Sequence, residues 1–369
     1  MRSKQIVIHF KNLEWGIIIP SILLTLLGLL SIYSSSPPSN FLNFYKQLAF
    51  FLLGIIFMIG LSFFDYRVFK NNPYLILFLY FVFILFLGGL LLLSSGNRGV
   101  RSWYTVGIIS FDPTEFTKVV LIILLAKYFS LRHIEMYKLR HILLSGFYAF
   151  FPAFLVYLQP DLGSALIFGI LWLGILLVSG IKLRHFLILI LIGIILVVLS
   201  WNFILKDYQK ERIISFIKPD YKPLEIGWNQ RQAKIAIGNG GLFGQGLNKG
   251  SQTQYGFLPE PQTDFIFSAI AEEFGFTTIL SLFFLYLYLI WRIIRLGLLA
   301  KDNFSRFFCA GIAILFIAQF FINIGANLGY LPVIGVPLLL ISYGGSSLVA
   351  TYIGLGILQS IKTRLPKTK

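Results

Sequence analysis

Cysteine is all but missing from this chain. The single Cys309 excludes an intrachain disulfide and any cysteine-based metal centre. Acids are scarce too, 15 Asp and Glu against 31 Lys and Arg. Histidine is scarcer still, and His9, His133, His141 and His185 all fall in or beside segments whose basic loops read as cytoplasmic. Proton chemistry at the opposite face would therefore fall to a carboxylate. The opening MRSKQIVIHFKN has basic residues but no short apolar stretch followed by a small-residue cleavage site, which excludes a signal peptide and reads as a retained anchor. No sequence repeat and no large soluble domain is evident. The glycines of GNGGLFGQGLNKG lack the strand-to-helix setting of a dinucleotide fold and the GK[ST] ending of a phosphate loop, so they read as a close-packed, flexible loop.

What the chain has in abundance is apolar sequence. It is 57% hydrophobic and 12% charged, with apolar runs of about twenty residues recurring from Trp15 onward. Ten spans can be read, at roughly 15–35, 47–64, 74–94, 113–131, 142–158, 162–180, 186–205, 264–291, 305–325 and 336–361. The expected fold is an all-α polytopic membrane protein, a single domain over 1–369. Lys and Arg set its orientation. One set of short loops holds Arg67, Lys70, Arg132, Lys138, Arg140, Lys182, Arg184, Arg292 and Arg295, and the other only Lys46, Arg98 and Arg101. That asymmetry places both termini in the cytoplasm and accounts for most of the +16 net charge without nucleic acid; a basic inner rim also attracts anionic membrane lipids. One long extracytoplasmic loop, 206–263, joins the seventh and eighth spans. Its start, LKDYQKERIISFIKP, reads as a charged interfacial helix.

The acids follow the opposite asymmetry, and four constellations stand at the outer ends of spans. In RGVRSWYTVGIISFDPTEFTK, Asp112, Pro113 and Glu115 suit an N-cap, a first-turn proline and a third-position acid. Lys118 lies one turn deeper on the face of Glu115, and an ion pair embedded in a membrane points to function. Arg101 and Trp103 precede it, Trp103 being either an interfacial belt residue or a platform for a sugar face. In LQPDLGSA, Asp161 either caps the sixth span or marks an anion site at its N-terminus. In LPEPQTDFIFSAIAEEFG, Thr263 or Asp264 can cap the following helix, whereas Glu272 and Glu273 lie too deep for that and call for cations, protonation or a metal ion. Glu260 stands between the two prolines that hold the approach extended. Finally, Gln319, Asn323 and Asn327 repeat on one face of the ninth span, and ISYGGSS places Ser342, Tyr343, Ser346 and Ser347 in the tenth; interhelical packing is the favoured reading of both.

These four stretches, in this order, resemble the SEDS family of bacterial envelope proteins, which comprises RodA, FtsW and SpoVE. The resemblance covers nearly the whole chain and is most specific in GLFGQG and GSQTQYGFLPEPQTDFIFSAIAEEFG, which look like the RodA branch. Two departures stand out. The family has Gln-Pro-Ser-Glu where this chain has Asp112-Pro113-Thr114-Glu115, and Thr-Gly-x-Pro-Leu-Pro-Phe where it has Ile334-Gly335-Val336-Pro337-Leu338-Leu339-Leu340. The second removes a proline expected to kink the tenth span.

The resemblance implies a peptidoglycan glycosyltransferase of the bacterial cytoplasmic membrane that polymerises lipid II at the outer face during cell elongation. A carboxylate would deprotonate the acceptor GlcNAc 4-hydroxyl, which attacks the donor anomeric carbon as undecaprenyl pyrophosphate departs. It implies Asp264 as the base, with substrate contacts from Arg101, Trp103, Glu115, Lys118, Asp161, Glu260, Thr263, Glu272 and Glu273. A divalent cation, Mg2+ or Mn2+, would be held by Glu115, Asp161 and Glu272; no organic cofactor is implied. It also implies a class B penicillin-binding protein as partner, since the chain lacks the combined Ser-x-x-Lys, Ser-Asp-Asn and Lys-Thr-Gly set for acyl transfer. Three other readings remain at this stage: a lipid-linked oligosaccharide flippase or transporter, a non-catalytic scaffold for a penicillin-binding protein, and an enzyme acting on another polyprenyl-linked glycan.

Overall fold

The computed structural model describes residues 2–37, 39–93, 103–107, 109–132, 138–203, 210, 211, 214, 216 and 226–365. Helices dominate. In chain order they are α1 (Arg2–Lys11), α2 (Trp15–Ser34), α3 (Leu42–Phe63), α4 (Arg67–Asn71), α5 (Pro73–Leu93), α6 (Pro113–Arg132), α7 (Leu139–Leu158), α8 (Leu162–Val178) and α9 (Leu183–Phe203). After these come α10 (Ile226–Asn239), α11 (Ser251–Gln254), α12 (Ile266–Leu299), α13 (Asn303–Leu328) and α14 (Gly345–Thr363). Each segment read as a span overlaps a helix, the tenth only from Gly345 onward, and among the described residues six helices are long and apolar enough to cross a membrane. Among those six, α13 is the most enclosed, packing against α6, α8 and α12, while α14 lies along α3. Large apolar side chains such as Ile56, Leu85, Leu143 and Leu280 are exposed along the flanks, where hydrocarbon rather than water is their fitting solvent. The chain is a multi-pass membrane protein.

Charge separates the two ends of the bundle. At one end Glu14 pairs with Arg292 and with Lys362 at 2.9 Å, Arg364 reaches Asp65 at 3.3 Å, and Lys70 reaches Asp302 at 3.7 Å. We call this the basic end. The opposite, acidic end gathers the N-termini of α6, α8, α12 and α14. A short antiparallel ribbon, β1 (Tyr104–Val106) with β2 (Ile109–Phe111), leads into α6 there, where no strand was expected.

The tenth apolar segment departs most from expectation. Helix α14 begins at Gly345 rather than near 336, and 332–338 is non-helical. Ser342 and Tyr343 therefore precede the helix instead of lying inside it. Val336, Leu338, Leu339, Leu340 and Ile341 are nonetheless almost fully buried. Non-helical backbone is tolerable there because other side chains satisfy its polar groups. Asn323 Nδ2 donates to the Val336 carbonyl (2.9 Å), Leu338 N–H to Ser342 Oγ (2.9 Å), and the Tyr286 hydroxyl to the Leu339 carbonyl. Gln47 donates to the Ser342 carbonyl (3.2 Å) and accepts from Gly344 N–H (3.1 Å). The segment is thus a buried strut.

The long connection after α9 is only partly irregular. Its expected interfacial helix lies almost wholly outside the described residues, but α10 packs on α12 and α13. The glycine-rich turn then docks on a break in α12 at Gly275 (φ 77°, ψ −177°), a conformation that favours glycine. Gly240 and Gly244 lie directly against the backbone of Ala271 and Glu273, leaving no room for a Cβ. Gln245 and Gly246 N–H donate to the carbonyls of Glu272 and Glu273 (both 2.9 Å), while Phe276 and Thr277 N–H donate back to Gly241 (2.9 Å) and Leu242 (3.1 Å). The loop is close-packed, as its glycines predict.

Candidate functional site

Asp264 sits in a turn just ahead of α12. Contrary to expectation, neither it nor Thr263 caps that helix. The N-cap position is Phe265, with no side-chain capping bond. The Asp264 backbone is held instead. Asn323 (3.2 Å) and Asn327 (2.9 Å) both donate to the Asp264 carbonyl, and Asn327 Oδ1 accepts from Ser268 N–H (3.2 Å) and Ser268 Oγ (2.7 Å). The polar stripe of α13 therefore does join helices, and what it grips is the aspartate turn. Ser342 Oγ donates to the Thr263 carbonyl (2.8 Å) and Tyr343 N–H to that of Gln262 (2.7 Å), which fixes the other side of the turn to the strut. Asp264 is partly exposed and borders a notch of about 10 Å³, room for roughly one water, shared with Asn323, Ile334 and Val336.

A second group of charges lies across the strut. Asp112 caps α6, its Oδ1 accepting from Thr114 N–H (2.8 Å), but the reciprocal half of the expected capping box is absent. Asp112 N–H donates to Ser346 Oγ (2.9 Å) at the start of α14, and Glu115 turns to Lys118 at 2.7 Å. Both partners of that ion pair are buried, Lys118 to 1% exposure. Capping thus accounts for Asp112 and not for Glu115. Asp161 caps α8 through Ser164 N–H (3.0 Å) and lies close enough to Lys118 and Glu115 to feel both charges. Part of the Asp112 surface stays open, but the protein packed around its carboxyl, and then the Glu115 charge, push it up to about 7. Burial likewise raises the Asp161 carboxyl, opposed by the Ser164 hydrogen bonds and by Lys118. Gly163, in the first turn of α8, packs on Ile334 and Val336. The strut with its Ser342, and Ser346 at the start of α14, thus connect Asp264, Asp112 and the start of α8.

Glu272 and Glu273 show an arrangement that the sequence did not suggest. Among the described residues, neutral donors surround them. Glu272, fully buried, accepts from Gln252 N–H (2.7 Å), Thr253 N–H (3.0 Å), Thr253 Oγ1 (2.7 Å) and Ser251 Oγ (3.3 Å), the opening turn of α11. Glu273 accepts from Ser34 Oγ and from Gln254 Nε2 (3.3 Å), and Asn248 N–H donates to Ser34 Oγ (2.9 Å), so the same loop is tied to α2. With both Glu272 oxygens occupied by α11, the set Glu115, Asp161 and Glu272 does not fit a shared cation. No group of three His, Cys, Asp or Glu side chains is arranged to hold a metal among the described residues.

Of the remaining expected contacts, Glu260 is exposed in the same turn, with a left-handed backbone (φ 43°) that is unfavourable for a non-glycine residue and often found near functional sites. Its carbonyl accepts from Thr263 and Phe265 N–H (3.2 and 3.3 Å). Trp103 stands half exposed at the start of the ribbon, and Arg101 lies outside the described residues. Ser342 of the strut, Ser346 of α14 and the loop anchor Ser34 were missed as site elements. Gly335 and Pro337 inside an apolar run were the available signal, since such interruptions mark discontinuous membrane helices.

Residues 14–367 match the family described as cell cycle protein, FtsW/RodA/SpoVE. The chain is 34% identical over 350 residues to the peptidoglycan glycosyltransferase MrdB of Escherichia coli K12, covering 93% of each chain. It is 34% identical over 359 residues to the stage V sporulation protein E of Bacillus subtilis, covering 94% and 95%. In three dimensions it is similar to the rod shape determining protein RodA of Thermus thermophilus (TM-score 0.71, 28% identity, covering 96% of this chain and 98% of that one). It is also similar to a chain in a peptidoglycan synthase complex whose structure concerns the coordination of polymerization and crosslinking (TM-score 0.81, 29% identity, covering 95% and 97%).

Proposed function

The chain belongs to the cell cycle protein family of FtsW, RodA and SpoVE and is a peptidoglycan glycosyltransferase, and from that premise we propose that it polymerises lipid II with Asp264 as general base. The observation that carries this reading is the placement of Asp264: a partly exposed acid at the acidic end, on a backbone held by Asn323, Asn327 and the strut. A general base needs that pairing of fixed position and access to the substrate. The acceptor GlcNAc 4-hydroxyl gives its proton to Asp264 as its oxygen bonds to the donor anomeric carbon, and the bond to undecaprenyl pyrophosphate breaks. The notch is far too small for a sugar, so the headgroups lie over it while their polyprenyl tails remain in lipid.

The leaving pyrophosphate meets positive potential from two sources. Lys118 is the cation of the buried cluster, with Arg101 as a second, outside the described residues. The N-termini of α6, α8 and α14 also gather around the strut, and that of α14 begins without a side-chain cap. No step is routed through a metal ion, because Glu272 is committed to the loop. The acidic end faces outward and the basic end inward, as the distribution of Lys and Arg supports. The structural likeness to a synthase complex supports a class B penicillin-binding protein as the crosslinking partner.

The test is direct. Purified protein in liposomes, supplied with that partner and with lipid II on the outer face alone, should yield glycan polymer without a membrane gradient. Movement of labelled lipid II between leaflets without polymer, in an active preparation, would replace this reading with a flippase.

A further inference from the structure

At the basic end, remote from the acids of the reaction, a cavity of about 760 Å³ opens between helix termini, within the size range of ligand pockets. Its charged lining is four cations, Lys11, Arg292, Lys301 and Lys362, against one carboxylate, Glu14. Glu14 is already shared by Arg292 and Lys362 (2.9 Å), and Gln359 holds its backbone, accepting from its N–H at 2.8 Å and donating to its carbonyl at 3.3 Å. The wall is therefore built, and its one acid neutralises only part of the charge. Among the described residues, neither Lys11 nor Lys301 has an acidic partner. Asp302, next to Lys301, is turned to Tyr66 (3.0 Å) and Ser305 (2.8 Å). A cavity this size holding surplus charge calls for a counter-anion.

The rim says which kind. Trp15 lines the cavity half exposed, its indole N–H fixed on the Phe10 carbonyl (3.1 Å), and Leu299 beside it is half exposed too. Nearby, the guanidinium groups of Arg292 and Arg295 lie 5.6 and 5.3 Å from the ring of Trp291, itself half exposed. Tryptophan and arginine at the end of an apolar bundle mark the headgroup level of a bilayer. The ligand thus meets cations inside and apolar surface at the mouth. We infer that this cavity binds a phosphate-bearing ligand, the headgroup of an anionic phospholipid in the adjoining leaflet, independently of the glycosyl transfer at the other end.

The full chain, purified in detergent, would be titrated with phosphatidylglycerol or with phosphatidylcholine of the same acyl chains, and bound lipid counted by native mass spectrometry. Preferential retention of phosphatidylglycerol is expected. The double variant Lys11→Gln/Lys301→Gln, which breaks no ion pair, should bind it at least about fivefold more weakly, each basic residue being worth about that factor near an anionic headgroup. The charge-matched variant Lys182→Gln/Arg184→Gln should retain it as wild type does, which separates a site from diffuse attraction. A parallel titration with glycerol phosphate distinguishes sources: competition at equal concentration supports the site and assigns it a soluble phosphate, and no competition supports the lipid. Equal retention of both lipids, or equal losses in the two double variants, would overturn the inference.

Discussion

Glu115 and Glu272 look alike in sequence, each an acid inside an apolar run, and both are buried. Their surroundings are opposite. Glu115 is balanced by one full charge, Lys118 at 2.7 Å, whereas Glu272 is balanced by partial charges, two backbone N–H groups and two hydroxyls of a single loop. The first arrangement keeps a net dipole at the acidic end, where the proposed reaction would handle a pyrophosphate. The second uses a carboxylate as a clamp that sets where the loop before Asp264 runs. An acid in a membrane helix thus has at least two physical uses, and only its donors tell them apart.

The largest effect should come from breaking the ion pair on one side. Glu115→Gln or Lys118→Met alone leaves a buried charge without its partner, at a cost of about 3–5 kcal/mol. The double variant should recover much of the stability but not the activity, giving a strong coupling in a double-mutant cycle of thermal unfolding. Additive, mild changes would reduce the pair to an ordinary surface contact.

Glu272→Gln should come next. The amide retains one acceptor but turns its NH2 toward donors of α11, so about 2–4 kcal/mol of loop docking is lost. Protease cleavage within 241–254 should rise before global unfolding does, and activity should fall in step with the docked fraction. Clean global unfolding without local cleavage would contradict the clamp.

The smallest effect concerns Asp112. Its carboxyl titrates near 7 in the folded protein, above the ordinary value of 3.8, so the folded state binds this proton more tightly than the unfolded one. That advantage is fully present below about pH 4 and is lost as pH rises toward 7. Asp112→Asn keeps the acceptor for Thr114 N–H and removes the titration. Its melting temperature should therefore gain on wild type between pH 4 and 7 and run parallel above; a constant difference would contradict the raised Asp112 carboxyl.

Much of this was legible in the sequence, and the failures share a cause. Periodicity and length placed the helices, because a membrane span must satisfy its own backbone. Asp112 and Asp161 read correctly as caps because capping is local, within three residues of chain. The clamp on Glu272 spans about twenty residues, and the grips on the strut from Gln47 and Tyr286 span far more. No periodicity reports such donors. The same apolar composition that reads as a tenth span serves a buried non-helical segment equally well once distant side chains supply its hydrogen bonds.

The central claim is that Asp264 supplies a carboxylate to the reaction while Glu272 supplies only structure. It is tested by lipid II polymerisation with Asp264→Asn beside wild type, each normalised to its folded, inserted fraction. Asp264→Asn should melt as wild type does, since it is the backbone that Asn323 and Asn327 hold, and should make no detectable polymer. Polymer within tenfold of wild type would remove Asp264 as the base.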